Sequence, residues 1–503
     1  MTSNKIISEK KLNNLIVNFR EGRKKIILCH GVFDLLHIGH IKYLEKSKSF
    51  GDILIVSLTA DTYVNKGPDR PIFTSDLRAQ ALAALEIVNY VLVNNNPTAV
   101  DLIKVLKPDI YVKDIEYKHN NDNRFKKEYE AVISSGGVVE FTNEAKFESS
   151  NIINKISYEP HVVKYLEKLK NKYTIDGIIN YINNTSKYKV LVIGDLIIDE
   201  YYFGNHLGKM RRESIAEFMV DYSEKYIGGS GIISNHVSSF VNEVDLLTLI
   251  GDREQQKSFI NKNLNKNINQ ILFEKKDSPT SLKKRYVEEN VGYRNLFKVS
   301  HMNDRELDNK TTQKINSKLK KILPKYDLVI VVDFGHGMIN QSFIETLTKY
   351  SNYLCVNTQI NTENKGYNTI DKYPRVDYGC INKDELCLVN KTKYEKSHIM
   401  ISNIMNNNTI YKLAVTQGYN GCTTIEKNGE IFETPAFTTD ALDSLGAGDA
   451  FYGITSPLAK LNIPMDLIGF IGCVVGAINI KYVGNQKIVN KAEVIQYAQS
   501  LLK

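Results

Sequence analysis

The stretch GVFDLLHIGH, Gly31 to His40, decides how the N-terminal third of the chain is read. It follows the apolar run Ile26–Leu28, which reads as a strand, and precedes a helical stretch at Ile41–Phe50. Loops at the ends of strands in open parallel sheets are where such folds bind ligands. His37 and His40 stand three residues apart around Gly39. On the first turn of a helix both rings would face one spot, and Gly39 would leave room for a phosphate against the backbone. A helix N-terminus already favours anions through its free N–H groups and its dipole. Two imidazoles there can donate hydrogen bonds to a triphosphate as charge develops in transfer. The bland alternative is a pair of satisfied core histidines, which leaves the rest of the string without a reason.

Outward from this string, Ile53–Leu58, Tyr90–Val93, Asp109–Val112 and Val138–Phe141 read as further strands. Leu77–Ile87 and Ala99–Leu106 read as helices between them. Strand–helix alternation predicts a parallel sheet with helices on both faces over residues 1–157. In the next segment Val162, Leu166, Leu169 and Tyr173 are spaced 4, 3 and 4 apart, an amphipathic helix, so 158–186 reads as connecting helices. A new strand opens at Val190–Ile193 and ends in Gly194-Asp195. Asp327–Val332, Tyr353–Val356 and Leu413–Thr416 are further buried-strand candidates, so 187–503 is a second α/β domain. No repeat links the halves, which predicts two unlike domains.

The second chemical string is DSLGAGDAF, Asp443 to Phe451, between a β-type segment and an apolar helix. Gly446-Ala447-Gly448 permits close backbone approach, and successive N–H groups at a helix start make an anion hole for a phosphoryl group in transfer. Asp449, directly after that hole, is placed to take a proton from an attacking hydroxyl. A structural turn with a capping Asp is the plain alternative.

The first string resembles the HxGH signature of the nucleotidyltransferase superfamily, with similarity over roughly residues 24–157. The resemblance implies attack of a phosphate or phosphonate oxygen on the α-phosphate of a nucleoside triphosphate, with release of pyrophosphate. It makes His37 and His40 catalytic, and Gly31, Phe33, Asp34, Gly39, Lys66, Arg78, Lys113, Ser149 and Ser150 nucleotide-binding. Lys66-Gly67 with Arg70-Pro71 is similar to the superfamily's mobile loop. Asp76 and Arg78 resemble its nucleotide-holding helix, Tyr111-Val112-Lys113 its strand-end lysine segment, and Ser149-Ser150 its closing serine motif. His30 stands where sugar-nucleotide members usually carry Asn, and Lys113-Asp114-Ile115-Glu116-Tyr117 replaces Lys-Gly-x-Asp-Tyr. Both departures leave the base and the acceptor open.

The second string resembles a signature of ribokinase-like (phosphofructokinase-B type) sugar kinases, over roughly residues 187–503. The resemblance implies an α/β/α domain with a small β-lid around Tyr202-Phe203-Gly204. It makes Asp449 the catalytic base and Gly446, Ala447 and Gly448 the anion hole. Thr416, Gly418, Gly421 and Asn382 fall on the nucleotide side; Asp199, Gly228 and Gly229 fall on the sugar; Glu385 and Asp443 fall near Mg²⁺. Three departures stand out: Ser230-Gly231-Ile232 for Ala-Ala-Asn, Asn357-Thr358-Gln359 for Asp-Pro-Lys, and Leu445 for Thr. The catalytic end is intact and the sugar end altered, so a kinase with a changed substrate and a non-catalytic domain both remain open.

Together the halves resemble the bifunctional heptose 7-phosphate kinase/heptose 1-phosphate adenylyltransferase family with the domain order reversed. That implies phosphorylation of a sugar phosphate on its anomeric oxygen by ATP with Mg²⁺, then nucleotidyl transfer to the sugar 1-phosphate, AMP first among the nucleotides. The alternative is a cytidylyltransferase for a polyol or amino-alcohol phosphate, with a C-terminal domain that is inert or acts on another carbohydrate. A homodimer is expected.

Composition agrees with two full domains. The chain has 503 residues, 42% hydrophobic and 24% charged, which excludes a disordered or fibrous protein. The net charge of +8 is spread along the chain and gives no case for nucleic acid. The longest apolar run, Leu467–Ile478, is twelve residues with three glycines, too short for the about 20 a bilayer needs. The N-terminus lacks an apolar core, and the six cysteines form no CxxC pair, so a cytoplasmic protein with reduced thiols is expected.

Overall fold

The structure, a computed structural model, describes residues 4–67, 70–118, 123–142, 158–209, 215–289, 293–407, 410–438 and 441–502. The chain forms two compact units, Met1–Ser157 and Tyr158–Leu502.

The first unit is built on five parallel strands: β1 (Ile26–Gly31), β2 (Ile53–Thr59), β3 (Tyr90–Asn94), β4 (Ile110–Asp114) and β5 (Val138–Thr142). Their order is β3-β2-β1-β4-β5. β1 reads as an unbroken apolar run because both its faces are covered. Ile26 and Leu28 pack with Leu12, Leu102 and Leu106 in one layer, while Ile27 and Cys29 pack with Leu44, Ala79 and Leu82 in the other. The helix Glu9–Glu21, which brings Leu12 and Phe19 to the first layer, has no counterpart among the sequence expectations. The helix expected over 77–87 runs Ser75–Ala83 instead.

The second unit holds two sheets. The larger contains β6 (Lys189–Gly194), β9 (Glu243–Arg253), β10 (Ile268–Pro279), β13 (Leu328–Asp333), β14 (Leu354–Thr358), β15 (Val376–Asn382), β16 (Ile410–Thr416), β17 (Cys422–Glu426) and β18 (Ile431–Thr434). Their order is β10-β9-β6-β13-β14-β15-β16-β17-β18, parallel as far as β16 and antiparallel beyond it. The smaller sheet, ordered β12-β11-β7-β8, is made of β7 (Leu196–Lys209), β8 (Ala216–Gly229), β11 (Leu282–Glu288) and β12 (Arg294–His301). The stretch read as connecting helices forms Pro160–Lys172 and Ile175–Asn184. Their apolar faces (Val162, Leu166, Leu169, Ile178 and Ile182) belong to the same core as β6 and the C-terminal helix Lys491–Leu502. Among the described residues, no helix is long and apolar enough to cross a membrane.

Candidate active sites

In the first unit the strand order reverses between β1 and β4, which opens a crevice at their C-terminal ends. The Gly31–His40 string leaves β1 at that crevice. Its loop carries two non-glycine residues in the left-handed region, Phe33 (φ 51°) and Leu35 (φ 47°), a local cost that cavities built for ligands commonly carry. The loop ends in the helix Ile38–Lys48, whose N-cap is His37 itself. Its Nδ1 accepts the Gly39 N–H at 3.1 Å, which places the ring proton on Nε2 and leaves that N–H able to donate. The His37 and His40 rings stack, with centroids 4.0 Å apart. His40 Nδ1 is buried without a hydrogen-bond partner. Burial, His37 and Lys66 push the His40 pKa down to about 3; burial and the Lys66 charge lower that of His37. Both imidazoles are therefore neutral at pH 7.

The other expected nucleotide contacts divide. Gly31 closes β1 beneath the Phe33 ring, which a Cβ there would approach to 3.1 Å. Asp34 accepts the N–H groups of Ile72 and Phe73, and so ties the Arg70-Pro71 segment beside the histidines. Arg78 lies inside the fold. It is 1% exposed, and its guanidinium donates to the carbonyls of Val32, Thr59 and Phe73 and to Asp61. These bonds brace the loop that presents Phe33. Lys113 is likewise buried: its ammonium lies 3.4 Å from Glu128 and donates to the His30 carbonyl. It supports the end of β1 from β4. Ser149 and Ser150 lie outside the described residues.

In the second unit the helix Ala447–Lys460 starts from Gly446 at φ 83°, a conformation that glycine adopts without strain. A Cβ on Gly448 would meet nothing within 4 Å, so there is open space beside the first turn, whose N–H groups have no partner within the helix. Asp449, in that turn, is 9% exposed, and Gln359 Nε2 donates to its Oδ1 at 2.7 Å. Burial pushes the Asp449 pKa up to about 7; the Asp199 and Glu385 charges add to this, while Gln359 and Lys283 oppose it. A carboxylate that titrates near neutrality suits a general base.

Asp199 sits on β7 at the register of Lys283 on β11 and pairs with Arg285 at 3.2 Å. A Cβ on Gly228 would come within 2.4 Å of Asp199 Oδ2, and one on Gly229 within 2.3 Å of the Asp195 carbonyl. The glycine pair is thus what lets β8 pass the acid. Gly421, at φ 80°, lies against the Thr434 carbonyl, and Gly418 at φ 57° turns the chain after Thr416. Together they shape the tight turn from β16 to β17.

The two residues expected near Mg²⁺ both accept backbone hydrogen bonds. Glu385 and Asn382 form a reciprocal capping box at the start of Lys383–Val389, and the second Glu385 oxygen accepts the Ile360 N–H. Asp443 accepts N–H groups from Leu445 and Gly484, and so clasps the loop that leads into the anion hole. No group of three or more His, Cys, Asp or Glu side chains able to hold a metal occurs among the described residues. The donors present do not make an all-protein cation cage.

Residue patterns gave no sign of Lys283 and Arg285, because β11 joins β7 only through the sheet pairing. Gln359 was visible as a departure from Asp-Pro-Lys, but its contact spans 90 residues of sequence.

Comparisons with known proteins agree with this geometry. Residues 187–492 match the family described as pfkB family carbohydrate kinase, and residues 28–200 match the family described as cytidylyltransferase-like. A bifunctional protein HldE from Sulfurimonas denitrificans is 44% identical over 110 residues, covering 22% of this chain and 23% of the relative. The HldE protein of Campylobacter jejuni strain RM1221 is 40% identical over 156 residues, 29% of this chain and 32% of the relative. The matched stretches thus span about a quarter to a third of these relatives' length. Phosphofructokinase-2 from Escherichia coli shares the fold of 63% of this chain over its entire length, with a TM-score of 0.52 at 11% identity. Ribokinase from Thermotoga maritima covers 62% of this chain and 99% of its own, with a TM-score of 0.50 at 16% identity.

Proposed function

The chain belongs to the pfkB family of carbohydrate kinases, and from that premise we propose that it is a bifunctional enzyme of nucleotide-sugar formation. The second unit phosphorylates a heptose-like sugar phosphate on its anomeric oxygen with ATP. The first transfers a nucleotidyl group, AMP first among the candidates, from a triphosphate to the resulting sugar 1-phosphate with release of pyrophosphate. The observation that carries the kinase half is Asp449, buried on the first turn of a helix with open space beside that turn, within the electrostatic reach of Asp199 and Lys283. The stacked neutral pair His37 and His40 at a strand-order reversal carries the transferase half.

In the kinase, Asp449 accepts the acceptor hydroxyl's proton while the Gly446–Gly448 N–H groups stabilise charge on the transferring group. Mg²⁺, when bound with the triphosphate, would supply charge neutralisation on its phosphates. In the transferase, the His37 Nε2–H donates to phosphate oxygens as charge builds at the α-phosphorus, and the helix N-terminus adds its own N–H groups.

A homodimer in the cytoplasm is part of this reading. Alternation along β7 and β11 puts Asp199, Lys283 and Arg285 on one face of the small sheet. The other face carries a stacked aromatic group, Tyr202, Tyr286 and Phe297, with Phe297 42% exposed. Such a patch on a monomer points to an association surface.

The test is product analysis by mass spectrometry with a panel of sugar phosphates and all four nucleoside triphosphates. A sugar 1-phosphate followed by an ADP-sugar is the expected series. A CDP-polyol with no phosphorylation of any sugar would replace this reading with a cytidylyltransferase carrying an inert second domain.

A further inference from the structure

Gln359 follows β14 directly and is fixed there by its own backbone. Its N–H donates to the Asp333 carbonyl at 3.0 Å, and its carbonyl accepts from Asn364 at 2.8 Å and Asn368 at 3.3 Å. The next residue, Ile360, donates its N–H to Glu385. A side chain leaving so constrained a backbone has few places to go, and its amide meets Asp449 Oδ1 at 2.7 Å. It is the one side-chain hydrogen-bond partner the described residues give that carboxylate. The charged groups that face Asp449 are Asp199 from β7, Lys283 from β11 and Glu385 from the Lys383–Val389 helix. The first two come from the small sheet, the third from beside the segment that carries Gln359.

A base in phosphoryl transfer needs one oxygen aimed at the incoming hydroxyl and an anion that still wants a proton. An amide donor satisfies both demands. It fixes rotation of the carboxylate through one oxygen without bringing a positive charge. A lysine in the same place, as in the Asp-Pro-Lys of the kinases this half resembles, would form a buried ion pair. Such a pair lowers a carboxylate's pKa by about 1–3 units and weakens it as a base.

We propose that Gln359 is the positioning residue of the phosphoryl-transfer base, holding Asp449 by Oδ1 so that Oδ2 is presented to the acceptor hydroxyl. The proposal rests on the kinase reading of the second unit. In the step it serves, the hydroxyl proton passes to Oδ2 as the new O–P bond forms at the γ-phosphorus. The bond from that phosphorus to the bridging oxygen of ATP breaks, ADP leaves with that electron pair, and Gln359 exchanges no proton.

The experiment uses the full chain labelled with ¹³C at the aspartate side-chain carboxyl, with the Asp449 resonance identified by its loss in Asp449→Asn. Its titration midpoint is followed by NMR in wild type, Gln359→Met and Gln359→Lys, and kcat and the KM for ATP are measured alongside. Removing the donor in Gln359→Met should raise the midpoint by about half a unit or more. It should also lower kcat roughly 10- to 100-fold, the worth of a hydrogen bond to a charged group, with the KM for ATP within about two-fold of wild type. Gln359→Lys should lower the midpoint by about one unit or more. Midpoints equal to wild type in both folded variants would overturn the proposal. Shifted midpoints in a chain that phosphorylates no sugar would support the Gln359–Asp449 coupling and remove the kinase reading alone.

Discussion

At the scale of single residues, the two sites solve the same electrostatic problem in opposite ways. In the proposed reading each receives a triphosphate, and each carries groups held away from their ordinary charge. His37 and His40 are bases made reluctant to take a proton by burial and by Lys66. Asp449 is an acid made reluctant to lose one, mainly by burial. The sign of the first effect gives a direct prediction. With pKa values lowered, both imidazoles are unprotonated at pH 7 in the free protein, and a polyanion beside them raises those values. Triphosphate binding should therefore take up protons near pH 7, seen in calorimetry as a binding heat that varies with the ionisation enthalpy of the buffer. The variation should vanish in a His37→Ala, His40→Ala double variant. Wild-type binding heats independent of buffer would show that neither imidazole gains a proton on binding and would overturn this prediction.

At the scale of elements, the most telling surface is the small sheet. Period-two alternation puts Asp199, Lys283 and Arg285 on one face with the buried rings of Tyr201 and Phe203, and Tyr202, Tyr286 and Phe297 on the other. If the latter face joins two copies, Phe297→Asp should desolvate a charge in the interface and yield monomers by light scattering, with the far-UV spectrum unchanged. A dimer of undiminished stability would place the interface elsewhere. The strands themselves were legible from apolar runs: β1, β2 and β13 are largely buried and rich in Ile, Val and Leu, while β16 was legible only from Leu413 on, after Tyr411 and Lys412. The helix Glu9–Glu21 could have been read as well, since Leu12, Leu15, Ile16 and Phe19 recur at i, i+3, i+4 and i+7 and pack in one layer. The two phosphate-handling strings were legible because their residues are contiguous. The bracing by Arg78 and the bonds between Glu385 and Ile360 and between Asp443 and Gly484 were not, because those partners are brought close only by the fold; the Asn382–Glu385 capping box is local, three residues apart, and could have been read. A carboxylate or guanidinium near a phosphate site looks the same in sequence whether it meets the ligand or braces the loop that does.

At the scale of the whole molecule, the chain carries two α/β units, each with a strand-order reversal and each with a phosphate-handling string following a strand or opening a helix at its own site. Each core is complete within its unit, with the 158–186 helices built into the second. The chemistry proposed is consecutive, the kinase product serving as the transferase acceptor, but the catalytic groups are separate. The central claim is that the two activities reside in independent sites. It is tested most directly by measuring both activities in His37→Ala and Asp449→Asn, each confirmed as folded. The account predicts that His37→Ala loses nucleotidyl transfer onto a supplied sugar 1-phosphate and still phosphorylates at the wild-type rate. Asp449→Asn should phosphorylate about 10²–10⁴-fold more slowly, the usual worth of a general base, with nucleotidyl transfer intact. Loss of both activities in either folded variant would contradict it.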